Sequence, residues 1–219
     1  MSVPSSCVVT RPGEPSDRKK GTTTDYAASH YIGNVHTLAN GVVLVNAYGV
    51  RDTLTFPLAF RLYKPRRRLQ PGDVDKSKPQ WAVELIQERA AQGFHFRVVL
   101  ADRLYGESDD GLSALQRWGW QYVVAIRSHH IVWTFPGERV RQTRWRPCAR
   151  VFTDGSSEQR CICEFVFGQR GRTRDSVVTP DPVHLPPETS WHRMTNLPGT
   201  IERTVGHMST TCGLRTWIE

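Results

Sequence analysis

One acidic residue stands where it could bind a metal ion or take part in catalysis. Asp102 directly follows residues 96–101, a short apolar run of the kind found in a buried strand. An acid at the carboxyl end of such a strand in an α/β sheet points into the crevice where these folds bind ligands. The alternative is structural, because Asp102 could also cap a turn or pair with Arg103.

Two other pairs of residues have a spacing that could serve chemistry. Arg215 and Glu219 are four apart, so they share one face of a helix, and by themselves they favour an exposed ion pair. Cys161 and Cys163 could form half of a metal site, but no second pair follows at zinc-like spacing. Two cysteines on one face of a strand are the better interpretation of that pair.

The chain is strongly basic. Its 219 residues include 29 Lys and Arg against 21 Asp and Glu, which gives a formal charge of +8. Charge alone leaves two interpretations open, a nucleic-acid partner or a basic surface in contact with solvent. The basic residues fall into three clusters: Arg18, Lys19 and Lys20; Lys64, Arg66, Arg67 and Arg68; and Arg139, Arg141, Arg144, Arg146 and Arg150.

Composition argues against several classes of protein. A hydrophobic content of 38% and 7 tryptophans are not typical of a disordered chain. The apolar runs are far shorter than the ~20 residues that span a bilayer, and the N-terminus lacks the pattern of a signal peptide. The 5 cysteines have no regular spacing and do not indicate a disulfide framework. We therefore expect a cytoplasmic protein without a membrane partner.

The elements that must position these residues alternate between strands and helices. The predicted order is a strand pair (41–48 and 54–63), a helix from Pro79 that ends before Gly93, a strand (96–101), a second helix (110–118) and a strand (122–126). This order predicts an α/β sheet with a crossover. Residues 1–21 are predicted to be irregular, 128–205 a β-rich insertion, and 206–219 the start of a final helix.

A series of motifs runs along the chain in a consistent order. They are DRKKG (17–21), YIGN (31–34), FPL (56–58), RLYKP (61–65), VLADRLYGES (99–108), YVVAIR (122–127), MTNL (194–197) and GLRTWIE (213–219). In order and spacing they resemble the bacterial insertion-sequence transposases of the DDE type. The resemblance covers about residues 17–219, and the last motif resembles the branch with a Tyr-x2-Arg-x3-Glu-x6-Lys signature.

The resemblance implies an RNase H-like core over residues 22–127, with a mixed sheet flanked by helices. It implies that Asp102 and Glu219 are the second and third catalytic acids and metal ligands, and that Arg215 is a catalytic residue at a DNA phosphate. Two Mg²⁺ ions, or Mn²⁺ as a substitute, would assist DNA cleavage and strand transfer. The expected partners are transposon ends, target DNA and an intact transposase as a dimer partner, at the bacterial nucleoid. The expected DNA-binding residues are Arg18, Lys19, Lys20, Lys64, Arg66, Arg67, Arg68, Arg127 and Arg215.

The chain departs from the family pattern at its first acid and at its end. Gly13 stands where the family carries the first catalytic aspartate, and Glu14 is the nearest candidate metal ligand. A shift of one residue along a strand turns the side chain to the opposite face, so we do not expect Glu14 to replace that acid. Cys212 stands at the tyrosine of the signature, and the sequence ends before its lysine.

These departures leave three functional hypotheses. The first is a truncated transposase core whose DNA cleavage is impaired. The alternative is a catalytically dead, DNA-binding remnant. An unrelated RNase H-like nuclease with a host function is the third, and the spacing of Arg215 and Glu219 argues against it.

Overall fold

The computed structural model describes residues 6–11, 17–18, 25–32, 37–51, 54–127, 145–151, 156–167, 173–179, 182 and 190–195. The strands in these ranges are β1 (Ser6–Arg11), β2 (Asp17–Arg18), β3 (Ala28–Ile32), β4 (Thr37–Arg51), β5 (Leu54–Tyr63), β6 (Phe96–Ala101), β7 (Gln121–Arg127), β8 (Arg146–Val151), β9 (Ser157–Phe167), β10 (Thr173–Thr179) and β11 (Ser190–Thr195). The helices are α1 (Lys78–Ala91), α2 (Arg103–Gly106) and α3 (Asp109–Arg117), with a 3₁₀ turn at Arg66–Arg68. Among the described helices, none has the length and apolar character to cross a membrane.

The described strands form one mixed sheet. From the edge at β5 the neighbours are β5, β4, β1, β6, β7, β11, β10, β9 and β8, and β4 also pairs with β2 and β3. The β1–β6 and β6–β7 pairs are parallel, whereas the other described pairs are antiparallel. Helices α1 and α3 contact each other, while α1 packs on β4 and β5 and α2 packs on β7. The fold is therefore mixed α/β and compatible with the predicted RNase H-like core.

Helix α1 begins and ends where its sequence predicts. The Ser77 hydroxyl accepts a hydrogen bond from the Gln80 backbone N–H, and the Gln80 side chain accepts one from the Ser77 N–H. This reciprocal capping box supplies partners for two N–H groups that the helix itself leaves without acceptors. Pro79 lies in the first turn, and Gly93 follows the last turn with a φ of 90°, a left-handed conformation that favours glycine. The predicted helix from Pro79 is confirmed.

The N-terminal segment differs from its prediction. Residues 6–11 lie in the range predicted to be irregular, but they form β1, which lies between β4 and β6. The cause is pairing with distant parts of the chain, since Thr10 is opposite Ala47 on one side and Ala101 on the other. Local composition does not reveal such partners. The prediction rested on Pro4, Pro12, Gly13 and Pro15, all of which lie outside the described residues.

The strands after residue 145 continue the same sheet. Strand β11 pairs with β7 so that Trp191 is opposite Ile126 and Arg193 is opposite Val124. Strands β10, β9 and β8 then follow as antiparallel neighbours. Residues 128–205 are β-rich in their described part, and the boundaries of the predicted domains stay a prediction.

The core lies where the helices cover the sheet. Ile86 of α1 and Leu112 and Leu115 of α3 belong to a buried cluster with apolar residues of the sheet. The sheet residues of this cluster are Val99, Tyr122, Val124, Ile126, Cys163, Phe165, Phe167, Val177 and Trp191. The cluster spans β6, β7 and the strands beyond them, so the added strands and the central strands share one core.

Cys161 and Cys163 lie two residues apart on β9, opposite Thr179 and Val177 of β10. Neither forms a disulfide within the described residues, and Cys163 is buried in the core cluster. Alternate positions on a strand share one face, as the sequence predicts. Within the described ranges no group of three or more His, Cys, Asp or Glu is arranged to hold a metal ion.

Candidate active site

Asp102 lies at the carboxyl end of β6, in the parallel part of the sheet. The residue before it, Ala101, is opposite Thr10 of β1 and Val124 of β7. Its carboxylate also caps α2, because Oδ1 accepts a hydrogen bond of 2.9 Å from the Leu104 backbone N–H. Asp102 can therefore be both a helix cap and a ligand-binding residue, since the cap holds the carboxylate at the edge of the sheet.

The surroundings of Asp102 disfavour its charged form. Burial raises the pKa of this carboxyl from 3.8 to about 6, although hydrogen bonds from the backbone N–H groups of Leu104 and Tyr105 and the charges of Lys78 and Arg103 act in the opposite direction. The side chain is half-buried by its exposed area, yet protein atoms surround it closely. A carboxyl with a strongly perturbed pKa at a strand end is typical of a functional site. A bound cation would favour the ionised form.

Asp102→Asn is expected to raise the free energy of unfolding at pH 7, by up to about 3 kcal/mol. The pKa of Asp102 is higher in the folded protein than in the unfolded chain, so ionisation destabilises the fold as the pH rises from about 4 to about 6. Asparagine does not ionise and still caps a helix. Urea unfolding of both proteins at pH 4 and pH 7 measures the effect, and an equal difference at the two pH values would contradict it.

Helix α2 packs unusually close to β7. A Cβ atom on Gly106 would lie 2.1 Å from the Ala125 carbonyl oxygen, so only glycine fits there. The preceding residue, Tyr105, is buried in a second cluster with Val45 of β4 and Leu85 of α1. These contacts hold α2 against β7, and α2 also contacts α3. Asp102, the residue that begins the helix, is held with it.

Arg127, a predicted DNA-binding residue, forms an ion pair. Its Nε donates to Glu107 Oε1 at 2.7 Å and to Oε2 at 2.9 Å, and its Nη2 also donates to Oε2. The Arg127 backbone N–H donates to Glu107 Oε1 at 3.0 Å. The pair raises the pKa of the Arg127 guanidinium.

The sequence analysis did not predict roles for Gly106 and Glu107. Both lie in the VLADRLYGES motif, which was the signal that could have identified them.

Two basic residues of the cluster around the 3₁₀ turn form ion pairs with carboxylates. Lys64 Nζ lies 2.7 Å from Asp73 Oδ2 and 3.1 Å from Asp25 Oδ2, and the hydrogen bond to Asp73 is the main cause of its raised pKa. Arg66 Nε lies 3.2 Å from Asp75 Oδ2. Carboxylates therefore neutralise these two residues locally.

Arg67 and Arg68 occupy the same turn as Arg66. Arg67 is exposed and forms no ion pair with another residue in the part of the chain that the structure describes. Its guanidinium is therefore the one in this turn that is best placed to bind a phosphate. Arg68 is half-buried.

The remaining predicted site residues lie outside the described side chains. Arg18 is described as part of β2 but only by its backbone, and Lys19 and Lys20 fall beyond the described residues. The predicted metal ligands Glu14 and Glu219 also fall beyond the described residues, as does Arg215. Among the predicted catalytic residues, the structure therefore describes only Asp102.

The segment of the expected first acid lies between β1 and β2. The residues of β1, SCVVTR, include no carboxylate. Arg11 is opposite Asn46, and Asp17 is opposite Val42. The strand beside Asp102 thus brings no acid to it within the described residues.

A family profile of DDE superfamily endonucleases matches residues 15–161, about two thirds of the chain. The chain belongs to the DDE superfamily. The match includes Asp102 but ends before Arg215 and Glu219. The predicted membership of the family is thereby confirmed.

A curated relative of this DDE protein extends the comparison. The chain is 45% identical over 207 residues to a protein of Microchaete diplosiphon named "Probable transposase for insertion sequence element IS701". The match covers 94% of this chain and 54% of the relative. The chain therefore spans about half the length of the curated relative. The similarity supports an insertion-sequence DDE transposase.

Proposed function

We propose that the chain is the catalytic core of an insertion-sequence transposase and acts in DNA transposition by Mg²⁺-dependent cleavage and strand transfer. The observation that carries this function is the half-buried Asp102 carboxylate at the carboxyl end of β6, in the sheet of a DDE superfamily protein. Ligands bind at this edge of α/β sheets.

Asp102 suits a hard divalent cation, because carboxylate oxygens are the ligands that Mg²⁺ prefers. DDE superfamily nucleases generally use divalent metal ions. In our proposal Asp102 and Glu219 hold Mg²⁺, and Arg215 binds the DNA phosphate. Two such ions, when bound, would stabilise the attacking and leaving oxygens of a displacement at phosphorus. The chain's own carboxylates would hold these ions at the edge of the sheet.

We also propose that cleavage by this chain is impaired. A two-metal site needs several carboxylates, and β1, the neighbour of β6, has none. Gly13 stands at the expected position of the first aspartate. This observation also favours the alternative function, a DNA-binding remnant without catalysis.

Three assays of one preparation separate these functions. We expect Mn²⁺ to bind weakly to the parent chain and not detectably to the Asp102→Ala variant, in a calorimetric titration. We expect no nicking of a supercoiled plasmid with Mg²⁺, and DNA binding that weakens with salt. Nicking that requires Mg²⁺ and is lost in Asp102→Ala would contradict impairment. DNA binding by a parent chain that does not bind Mn²⁺ would favour the remnant.

Arg67→Ala is expected to reduce the salt dependence of DNA binding more than Arg66→Ala. Each phosphate contact contributes about 0.9 to the slope of log K against log salt concentration. Arg67 has no ion-pair partner among the described residues, whereas Arg66 is paired with Asp75. Fluorescence anisotropy with a labelled duplex at four salt concentrations gives the slopes. Equal slopes for the two variants would show that Arg67 has no special role.

The cellular setting follows from the proposed activity. The DNA partners would be transposon ends and target DNA, and the chain would act in the bacterial cytoplasm at the nucleoid. A dimer with an intact transposase is part of the same proposal.

A further inference from the structure

Glu107 and Arg127 join the end of α2 to the end of β7. The Glu107 carboxylate accepts three hydrogen bonds from Arg127 with distances of 2.7, 2.9 and 3.0 Å, and the last comes from the backbone N–H. The Nη2 group donates as well. The Glu107 side chain is only 17% exposed, compared with 52% for Arg127. Most surface ion pairs stabilise a protein little, but bidentate, charge-assisted hydrogen bonds are the strong ones.

The position of this pair links it to Asp102. Helix α2 has 4 residues, with Asp102 as its N-cap and Glu107 as its C-cap. A helix of one turn has little stability of its own, because forming the first turn costs more than one hydrogen bond returns. Its geometry therefore depends on contacts with its surroundings. Helix α2 contacts α3, β6 and β7, and its contacts with β7 include the close approach of Gly106 to Ala125 and the Glu107–Arg127 pair.

We infer that the Glu107–Arg127 pair holds α2 against β7 and thereby fixes the orientation of the Asp102 carboxylate. Glu107 is then a positioning residue, and Arg127 serves this role in addition to any contact with DNA. The coupling between the pair and Asp102 follows from the geometry of α2. Its importance for metal binding rests on the proposed function of Asp102.

Hydrogen exchange of the full chain, followed by NMR, tests the coupling. The Leu104 N–H reports on Asp102, because Oδ1 is its acceptor. We expect Glu107→Ala to speed exchange at Leu104 about ten-fold by local opening, and Glu107→Gln to have a smaller effect because the amide oxygen still accepts. The Gln92 N–H, which donates to the Glu88 carbonyl oxygen at the carboxyl end of α1, is expected to keep its rate.

A second ion pair provides the matched control. Arg160 Nη2 lies 2.8 Å from Glu158 Oε2 on β9, within one strand and remote from α2 in the sheet order. We expect Glu158→Ala to leave exchange at Leu104 unchanged. Unchanged exchange in Glu107→Ala, or equal acceleration in Glu158→Ala and Glu107→Ala, would overturn the inference. A purely structural pair would lower stability without a selective effect at Leu104.

Mn²⁺ titration separates this inference from the proposed function. We expect Glu107→Ala to weaken Mn²⁺ binding about ten-fold and Glu158→Ala to leave it unchanged. If Glu107→Ala speeds exchange at Leu104 selectively but the parent chain binds no Mn²⁺, the positioning role of the pair is supported and the metal site is refuted. Normal Mn²⁺ binding by Glu107→Ala would refute the role of the pair in metal binding.

Discussion

Replacing Arg193 with methionine is expected to lower the free energy of unfolding by about 3–5 kcal/mol. Arg193 Nε lies 2.6 Å from Asp175 Oδ2, and both side chains are 3% exposed. The Tyr122 hydroxyl donates to the same oxygen at 2.6 Å. Without the guanidinium, the Asp175 charge would stay buried with a single neutral donor. The loss of a partner from a buried pair is costly because the remaining charge is not compensated.

The packing of Arg193 makes methionine the suitable replacement. The Arg193 guanidinium lies over the Phe167 ring, with Cζ 3.8 Å from its centroid, and methionine replaces this cation–π contact with a thioether that also packs on aromatic rings. The loss in stability therefore reports mainly on charge. Urea unfolding followed by tryptophan fluorescence measures it.

Two further variants control this result. Arg66→Met removes an exposed ion pair with Asp75 and is expected to cost less than about 1 kcal/mol. The double variant Asp175→Asn with Arg193→Met is expected to recover much of the stability, since no charge then remains buried. A cost for Arg193→Met as small as that of Arg66→Met would refute the role assigned to the buried pair.

Gly106→Ala is expected to destabilise the fold by about 3 kcal/mol and to weaken Mn²⁺ binding strongly, because overpacked side chains force the backbone to shift. The new Cβ would lie 2.1 Å from the Ala125 carbonyl oxygen and 3.0 Å from Val124 Cβ. A carbonyl in a central strand cannot move without loss of sheet hydrogen bonds. Helix α2 must move instead, and the Asp102 cap moves with it.

Gly111→Ala is the matched control for this substitution. Gly111 lies in α3, and its added Cβ would meet the Ser108 hydroxyl at 3.5 Å, an ordinary contact. Alanine is favoured over glycine in helices by up to about 1 kcal/mol, so we expect a neutral or stabilising effect. Urea unfolding and Mn²⁺ titration of both variants test the difference. Similar behaviour of the two variants would show that the approach of α2 to β7 does not matter.

The ion-pair partners of the charged residues could not be predicted from the sequence. The sequence identified Lys64, Arg66 and Arg127 as DNA-binding candidates by their charge. The structure places a carboxylate near each of them, and those of Asp25 and Glu107 come from other segments. Which charges pair depends on how loops and helices approach each other. Composition counts charges but does not state their distances.

The sequence by itself determined helix α1, the strand before Asp102 and the family. The capping box of α1, Gly93 after its last turn and the apolar run before Asp102 are all encoded within a few residues. The motifs identified the family for a related reason, since they preserve order and spacing along the chain. These features require no knowledge of distant contacts.

Only the tertiary structure decided which strands and charges meet. The pairing of β1 with β4 and β6, and the continuation of the sheet through β11, join segments far apart in sequence. Register then brought Asp175 and Arg193 together in the core, and the packing of α2 on β7 brought Glu107 to Arg127. Such contacts form because hydrogen bonding and burial select one alignment among many that the local sequence allows.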